Sequence, residues 1–340
     1  MEWDQYERAF LREAGRNKKS AQYCEKWLRY AKRLFDNNLP IIYNQEHFCM
    51  LVGYKQEYVY AASNSMRPFY RSFYIAKKNG GNRRICEPLP NLKEIQKWIL
   101  LNVLEKMEAS PYAKAYIKGK NVRENARFHK RQKKVLSLDV HDFFGSISSF
   151  LVYEVFVKVG YESDVAMMLT QLCCLDGCLP QGAPTSALLS NIIMKHFDDN
   201  IAKFVNEKKI RYTRYADDMT FSGDFDEKEV IRFVRKKLKK VGMTLSEEKT
   251  RVRYQGQQQE VTGIVVNDKL QLSKKKRKKI RQEIYYIKKY GLQSHLEYIQ
   301  EGRRNYLEHI KGEIAYALFI NPKDFEMKQY FEYIKALREN

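Results

Sequence analysis

The chain has 340 residues, with 62 Lys and Arg against 41 Asp and Glu, for a formal net charge of +21. A hydrophobic content of 44% supplies ample core and excludes a wholly disordered chain. Charged residues interrupt every apolar run before the roughly 18 residues needed to cross a bilayer. The opening Met1-Glu2-Trp3-Asp4 also lacks the basic-then-apolar order of a secretory signal, so a cytoplasmic protein without a membrane partner is expected.

So large a positive surplus on a folding chain points to a polyanion, nucleic acid above all. The 24 Tyr and 18 Phe add flat surfaces on which bases can stack. Cys24, Cys49, Cys86, Cys173, Cys174 and Cys178 form no paired zinc-type spacing and are expected to be reduced, mostly buried thiols.

In chain order, residues 1–60 read as mostly helical, with Trp27, Leu28, Ala31, Leu34 and Phe35 at helical spacing and a stop before Pro40. Phe73-Tyr74-Ile75 and Arg84-Ile85-Cys86 flank Asn79-Gly80-Gly81-Asn82, a hairpin signature. One long amphipathic helix is expected from Leu92 to Met107. Val135–Val140 fits a buried strand. A helix of five turns should start beyond Pro184, with Leu188, Leu189, Ile192, Ile193, Phe197, Ile201 and Phe204 on one face. Ile210–Ser222 reads as strand–turn–strand, Val230–Val241 as a basic helix and Val261–Val266 as a further strand. From Ser273 the chain is helical, and positions 274–289 hold nine Lys and Arg with only Glu283.

The chemistry concentrates in Arg214-Tyr215-Ala216-Asp217-Asp218-Met219-Thr220. Adjacent carboxylates repel each other, and on a regular strand they point to opposite faces. In a tight hairpin both can lean to one place, where divalent cations offset the repulsion; a plain surface turn also fits the dipeptide alone. Asp139 ends a buried-strand pattern, where an unpaired carboxylate is costly unless it meets a metal or a base. Three such acids on neighbouring strand ends make a Mg²⁺ site of the kind used in two-metal phosphoryl transfer.

Tyr215-Ala216-Asp217-Asp218 resembles the catalytic box of reverse transcriptases, and the neighbours agree in order. Ser137-Leu138-Asp139-Val140-His141-Asp142-Phe143-Phe144 resembles that family's first metal-binding motif. Leu179-Pro180-Gln181-Gly182-Ala183-Pro184-Thr185-Ser186 resembles its glycine-containing segment, with Ser186-Ala187 where many relatives carry Ser-Pro. Arg71–Ile99 is similar to its fingers motif and Gly242–Arg253 to the next palm motif. Asn125-Ala126-Arg127-Phe128-His129 and Val261-Thr262-Gly263 resemble signatures of the retron branch, as does Gly302…Tyr306…Gly312…Asn321-Pro322 in the thumb.

The resemblance implies an α+β right-hand polymerase. Its parts would be a helical N-terminal extension (1–60), fingers (61–134), a palm with an antiparallel sheet (135–266, with fingers-associated helices near 150–178) and a helical thumb (267–340). Asp139, Asp217, Asp218 and the Val140 carbonyl would hold two Mg²⁺ ions. Lys249 would protonate pyrophosphate or pair with Glu247. Phe144 would crowd a nucleotide 2′-OH, and Gln181 and Gly182 would lie beside the incoming nucleotide. Of Lys77, Lys78, Arg83 and Arg84 around the fingers turn, Lys77 and Arg83 are assigned to the triphosphate. Asn125, His129, Val261, Thr262 and Gly263 would contact RNA, although His129 equally fits a satisfied core histidine. Lys275, Lys276, Lys278 and Lys279 would track duplex phosphates.

The implied activity is RNA-directed DNA synthesis from dNTPs on a cognate structured non-coding RNA. Priming from a guanosine 2′-OH would give branched RNA-linked DNA, in an anti-phage system with a separate effector protein. The alternatives are a phage-defence reverse transcriptase without the 2′–5′ branch and an RNA-binding scaffold whose polymerase site is vestigial.

Overall fold

The N-terminal region is helical, and polar side chains cap two of its four helices. The computed structural model describes residues 2–77, 80–300, 302–303 and 305–339. It opens with α1 (Trp3–Arg16), α2 (Ala21–Asp36), α3 (Gln45–Val52) and α4 (Gln56–Asn64). Ser20 caps α2 by accepting from the Tyr23 amide, and Asn44 caps α3 through the His47 amide. The hairpin β1 (Tyr70–Ala76) and β2 (Asn82–Pro88) follows in the expected place. Lys78 and Asn79 lie outside the described residues.

Next come α5 (Pro90–Asn102), α6 (Val122–Phe128), β3 (Lys134–Asp139), α7 (Ser149–Lys158) and α8 (Ser163–Cys173). The expected helix to Met107 ends earlier. Val103 turns out of helical geometry at φ −114°, and a tighter 3-10 turn at Leu104–Lys106 carries the last apolar residues inward. The helix expected beyond Pro184 is divided at Met194 into α9 (Ser186–Ile193) and α10 (Lys195–Glu207).

The strand–turn–strand is β4 (Arg211–Tyr215) and β5 (Asp218–Gly223), followed by α11 (Glu227–Lys240) and β6 (Arg251–Tyr254). Then come β7 (Glu260–Val261), β8 (Ile264–Val265) and β9 (Gln271–Leu272), and the helices α12 (Lys274–Tyr290), α13 (Leu292–Tyr298), α14 (Tyr306–Ile320) and α15 (Phe325–Glu339). The single strand expected over Val261–Val266 is therefore a hairpin. Thr262 at φ +48° and Gly263 at φ +79° are both left-handed, the signature of a two-residue type I′ turn.

The chain divides into two compact units. One comprises Met1–Tyr116, Val140–Asn200 and Arg235–Leu245, and holds the N-terminal helices and the β1–β2 hairpin. The other comprises Ile117–Asp139, Ile201–Val234 and Ser246–Asn340. Its main sheet is antiparallel, in the order β4-β5-β3-β6. Its largest apolar core joins Val261, Ile264 and Leu272 of the small sheet to Ile280, Ile284 and Ile287 of α12 and to Ile310, Ile314 and Ile334 behind.

Candidate active site

Strand alternation gives the main sheet one apolar and one polar face. Leu136 and Leu138 of β3, Met219 and Phe221 of β5, and Tyr212 and Arg214 of β4 share the first. The opposite face carries Ser137 and Asp139 of β3, Asp218, Thr220 and Ser222 of β5, and Thr213 and Tyr215 of β4. Asp139 pairs in register with Asp218, and Tyr215 with Asp218, which leaves Ala216 and Asp217 as the turn. A two-residue turn is why the adjacent acids do not splay as they would on a strand.

That turn is strained and braced. Ala216 sits at φ +57°, a conformation that costs a non-glycine residue roughly 1–2 kcal/mol. The fully buried Arg214 donates from Nη1 to the Ala216 carbonyl at 3.1 Å. Sequence reading assigned Arg214 no role; an arginine inside an otherwise buried strand was the available signal.

Carboxylate oxygens of Asp139, Asp217 and Asp218 lie within 4.8 Å of one another, the one such acid group among the described residues. Asp139 is buried, and Lys249 Nζ donates to its Oδ1 at 2.6 Å. The segment carrying Lys249 is anchored by the Ser246 amide, which donates to the Asp139 carbonyl at 2.8 Å. The ion pair of Lys249 is thus made with Asp139, in place of the Glu247 pairing considered from sequence. Burial would lower the Lys249 ammonium, but the bond to Asp139 and the charges of Asp217 and Asp218 outweigh it and hold it raised. Lost solvation first, then the charges of Asp217 and Asp139, push the Asp218 carboxyl up to about 7. Hard oxygens crowded at this density fit a hard divalent cation, and the repulsion is what such an ion would relieve.

The Asp218 carboxyl is raised from 3.8, so the folded, metal-free chain holds this proton more tightly than the unfolded chain does. Its melting temperature should fall as pH rises from about 4 through about 7. Added Mg²⁺ should restore it at pH 8 and do little at pH 5. Scanning calorimetry at the two pH values, with and without Mg²⁺, checks both signs.

Val140 pairs with Leu245 in a narrow bridge whose hydrogen bonds belong to its neighbours: His141 donates to Thr244, and Ser246 to Asp139. The Val140 carbonyl is therefore directed away from the Leu245 segment.

The polar face also lines a cavity of about 590 Å³, bounded by Tyr215, Asp218, Thr220, Arg251 and Thr262 among others. Of the residues expected to contact RNA, Thr262 and Gly263 border this cavity. Val261, Asn125 and His129 do not reach a surface. Val261 is in the apolar core, and Asn125 and His129 are fully buried. His129 bonds Thr213 and Ser222 at 2.7 Å each, and the Thr213 hydroxyl donates to Asn125 at 2.5 Å. Direct RNA contact by these three side chains is corrected to a packing role, because sequence spacing does not reveal burial.

Lys275, Lys276, Lys278 and Lys279 are exposed on α12, whose start is capped by Ser273. The other cations of this run are partly spoken for: Arg277 pairs with Asp324 and Glu326, and Arg281 with Glu326. Lys279 leans toward Glu283 at 3.5 Å. Replacing the four lysines by Gln should flatten the log K against log salt slope for an RNA duplex by roughly two to three units if three of them contact phosphates, at about 0.7–0.9 per lost contact. An unchanged slope in a folded variant would make this run a merely solvated face.

The remaining expected residues belong to the other unit. Lys77 and Arg83 are exposed beside the hairpin turn, where the Lys77 amide donates to the Gly81 carbonyl at 2.9 Å. Phe144 is half-buried and packs edge-to-face on Phe143 at 5.3 Å, in a turn where Asp142 takes φ +41°. The Gln181 carbonyl accepts from the Cys86 amide at 2.9 Å, and Gly182 takes φ +131°. A Cβ on Gly182 would stand 2.7 Å from the Cys86 carbonyl oxygen. Its missing side chain is thus required by strand β2.

No helix among the described residues is long and apolar enough to cross a membrane. A family model described as reverse transcriptase (RNA-dependent DNA polymerase) matches residues 75–286. Retron Ec86 reverse transcriptase of Escherichia coli is 29% identical over 94% of this chain and 96% of its own. Retron Ec83 reverse transcriptase of Escherichia coli is 30% identical over 79% and 90% respectively. Retron Mx65 reverse transcriptase of Myxococcus xanthus is 32% identical over 76% and 62%. Among solved structures, telomerase from Candida albicans with a telomeric RNA fragment aligns over 78% of this chain and 61% of its own. That alignment has 11% identity and a TM-score of 0.45. The acid triad, the ordered motifs, the family model and the retron relatives together place the chain, a right-hand polymerase and RNA-directed DNA polymerase, in the retron reverse transcriptase family.

Proposed function

We propose that this chain copies a cognate structured non-coding RNA into branched, RNA-linked single-stranded DNA, starting from a guanosine 2′-OH. The DNA is made from dNTPs, and the product serves an anti-phage system that includes a separate effector protein. The observation that carries the reading is the convergence of Asp139, Asp217 and Asp218 within 4.8 Å in a chain of this family.

Asp139, Asp217 and the Val140 carbonyl would hold two Mg²⁺ ions, and Asp218 completes the negative site. Bound there, Mg²⁺ would lower the pKa of the priming hydroxyl and neutralise the leaving pyrophosphate. Lys249, kept protonated beside Asp139, is the group that gives a proton to pyrophosphate. Gln181 and Gly182 flank the nucleotide, Lys77 and Arg83 hold its triphosphate, and the exposed lysines of α12 follow the duplex backbone.

Phe144 excludes ribonucleotides by crowding the 2′-OH. Phe144→Ala should lower discrimination by about 1–3 kcal/mol, the scale on which a pocket rejects a small added group. The rNTP-to-dNTP ratio of kcat/KM measures it directly, and a wild-type ratio would return Phe144 to the core.

The test of the whole reading is the nucleic acid made when the chain is expressed with its flanking DNA. The DNA that co-purifies should be joined to RNA through a 2′–5′ bond, so that a debranching enzyme separates the two. DNA carrying no such bond would overturn the retron-type product and leave an unbranched reverse transcriptase. Loss of phage resistance on deleting the chain, and recovery of an effector bound to the complex, test the remaining claims.

A further inference from the structure

The buried bonds around His129 have a direction. The Thr213 hydroxyl has one hydrogen, donated to Asn125 Oδ1 at 2.5 Å. Thr213 Oγ1 therefore accepts from His129 Nε2, 2.7 Å away, so Nε2 carries a proton. His129 Nδ1 and the Ser222 hydroxyl share the second bond, also at 2.7 Å. The result is a bonded chain, Ser222–His129–Thr213–Asn125.

This chain crosses the hairpin that carries the acids. Thr213 is in β4, two residues before Tyr215, and Ser222 is in β5, four residues after Asp218. Thr213 pairs with Thr220 and Ser222 with Arg211, so one imidazole ties diagonal positions of neighbouring strands. Its attachment point is the C-terminal end of α6, whose Asn121 caps the helix start. His129, Asn125 and Ser222 are fully buried and Thr213 is 1% exposed, so nothing here can touch RNA. The hairpin tip lies about 7 Å beyond Thr213, at roughly 3.3 Å per residue. Its turn is already strained at Ala216, so it needs support from the strands below.

We propose that His129 is a positioning residue for catalysis: by joining Ser222 to Thr213 it fixes the β4–β5 hairpin and so the placement of Asp217 and Asp218. The inference rests on the reading of those acids as the metal site. A displacement near 1 Å at a reacting centre can cost on the order of 100-fold in rate. The expected losses are therefore in turnover rather than in nucleic-acid affinity.

The test uses the full chain, poly(rA)·oligo(dT) and dTTP. His129→Leu fills the space without either bond. His129→Gln keeps an amide hydrogen for Thr213 and a second polar atom for Ser222. His129→Leu should lower kcat by about 10- to 100-fold and raise the half-saturating Mg²⁺ severalfold. KM for dTTP and the RNA that co-purifies per mole of protein should not change. His129→Gln should recover most of the kcat at a melting temperature close to that of His129→Leu. If His129→Leu does not fold, Thr213→Val, which keeps shape and loses the acceptor, carries the same expectations.

Wild-type kcat and Mg²⁺ requirement with a fall in bound RNA would overturn the proposal in favour of RNA contact. Loss of kcat that simply follows melting temperature, with Gln no better than Leu, would overturn it in favour of bulk stability. Failure of the underlying site reading would look different: Asp217→Asn with Asp218→Asn would then retain synthesis, whatever His129 does.

Discussion

The double variant Asp217→Asn, Asp218→Asn should lose DNA synthesis by at least about 1,000-fold, the scale of several kcal/mol of metal-held charge stabilisation. Its RNA binding should survive, because the exposed lysines of α12 are untouched. The variant should also melt higher than the wild type in metal-free buffer at pH 8. Two amides no longer repel Asp139, and the Asp218 carboxyl, which sits near 7 in the folded chain, is gone. Higher melting with lost activity cannot be mistaken for misfolding. Near-wild-type primer extension by the folded double variant would refute the metal-site assignment outright.

Gly182→Ala should be the most damaging single-atom change outside the acids. The position has φ +131°, and the added methyl would meet the Cys86 carbonyl oxygen at 2.7 Å and Ile85 Cγ2 at 3.0 Å. The strained backbone costs about 1–3 kcal/mol. The overpacking adds about 1–3 kcal/mol more. Neither contact is the far end of a long side chain that could swing aside, so the Gln181–Cys86 hydrogen bond should break instead. Thermal unfolding should show the cost, and primer extension should fall with it. A variant as stable and active as wild type would mean that β2 yields at its base.

Much of this was legible along the chain because the chemistry is local there. The apolar run Val135–Leu138 ending on Asp139 announces a buried strand with an acid at its tip, and β3 spans Lys134–Asp139. Tyr215 to Asp218 announces a turn, since two adjacent acids cannot share a strand face, and β4 and β5 meet there in register. The charge surplus and its concentration after Ser273 announce a basic helix, and α12 is one. Each of these depends on residues within a few positions of one another.

What failed or stayed open depended on residues far apart in sequence. Val261–Val266 has a strand's composition, yet Thr262 and Gly263 take left-handed angles because β8 folds back onto β7. Lys249 had two plausible roles by spacing; only the packing of its segment against β3 puts its ammonium on Asp139, 110 positions away. Asn125 and His129 look like polar groups free to meet RNA, but their partners Thr213 and Ser222 lie 84 to 93 positions on. Sequence alone determined most of the elements, the acids and the sign of the surface charge, because helical period, strand alternation and turn preference act over short range. Which polar groups face a ligand and which face each other was decided only by the tertiary structure. Burial is a property of the whole packed chain, and no local spacing encodes it.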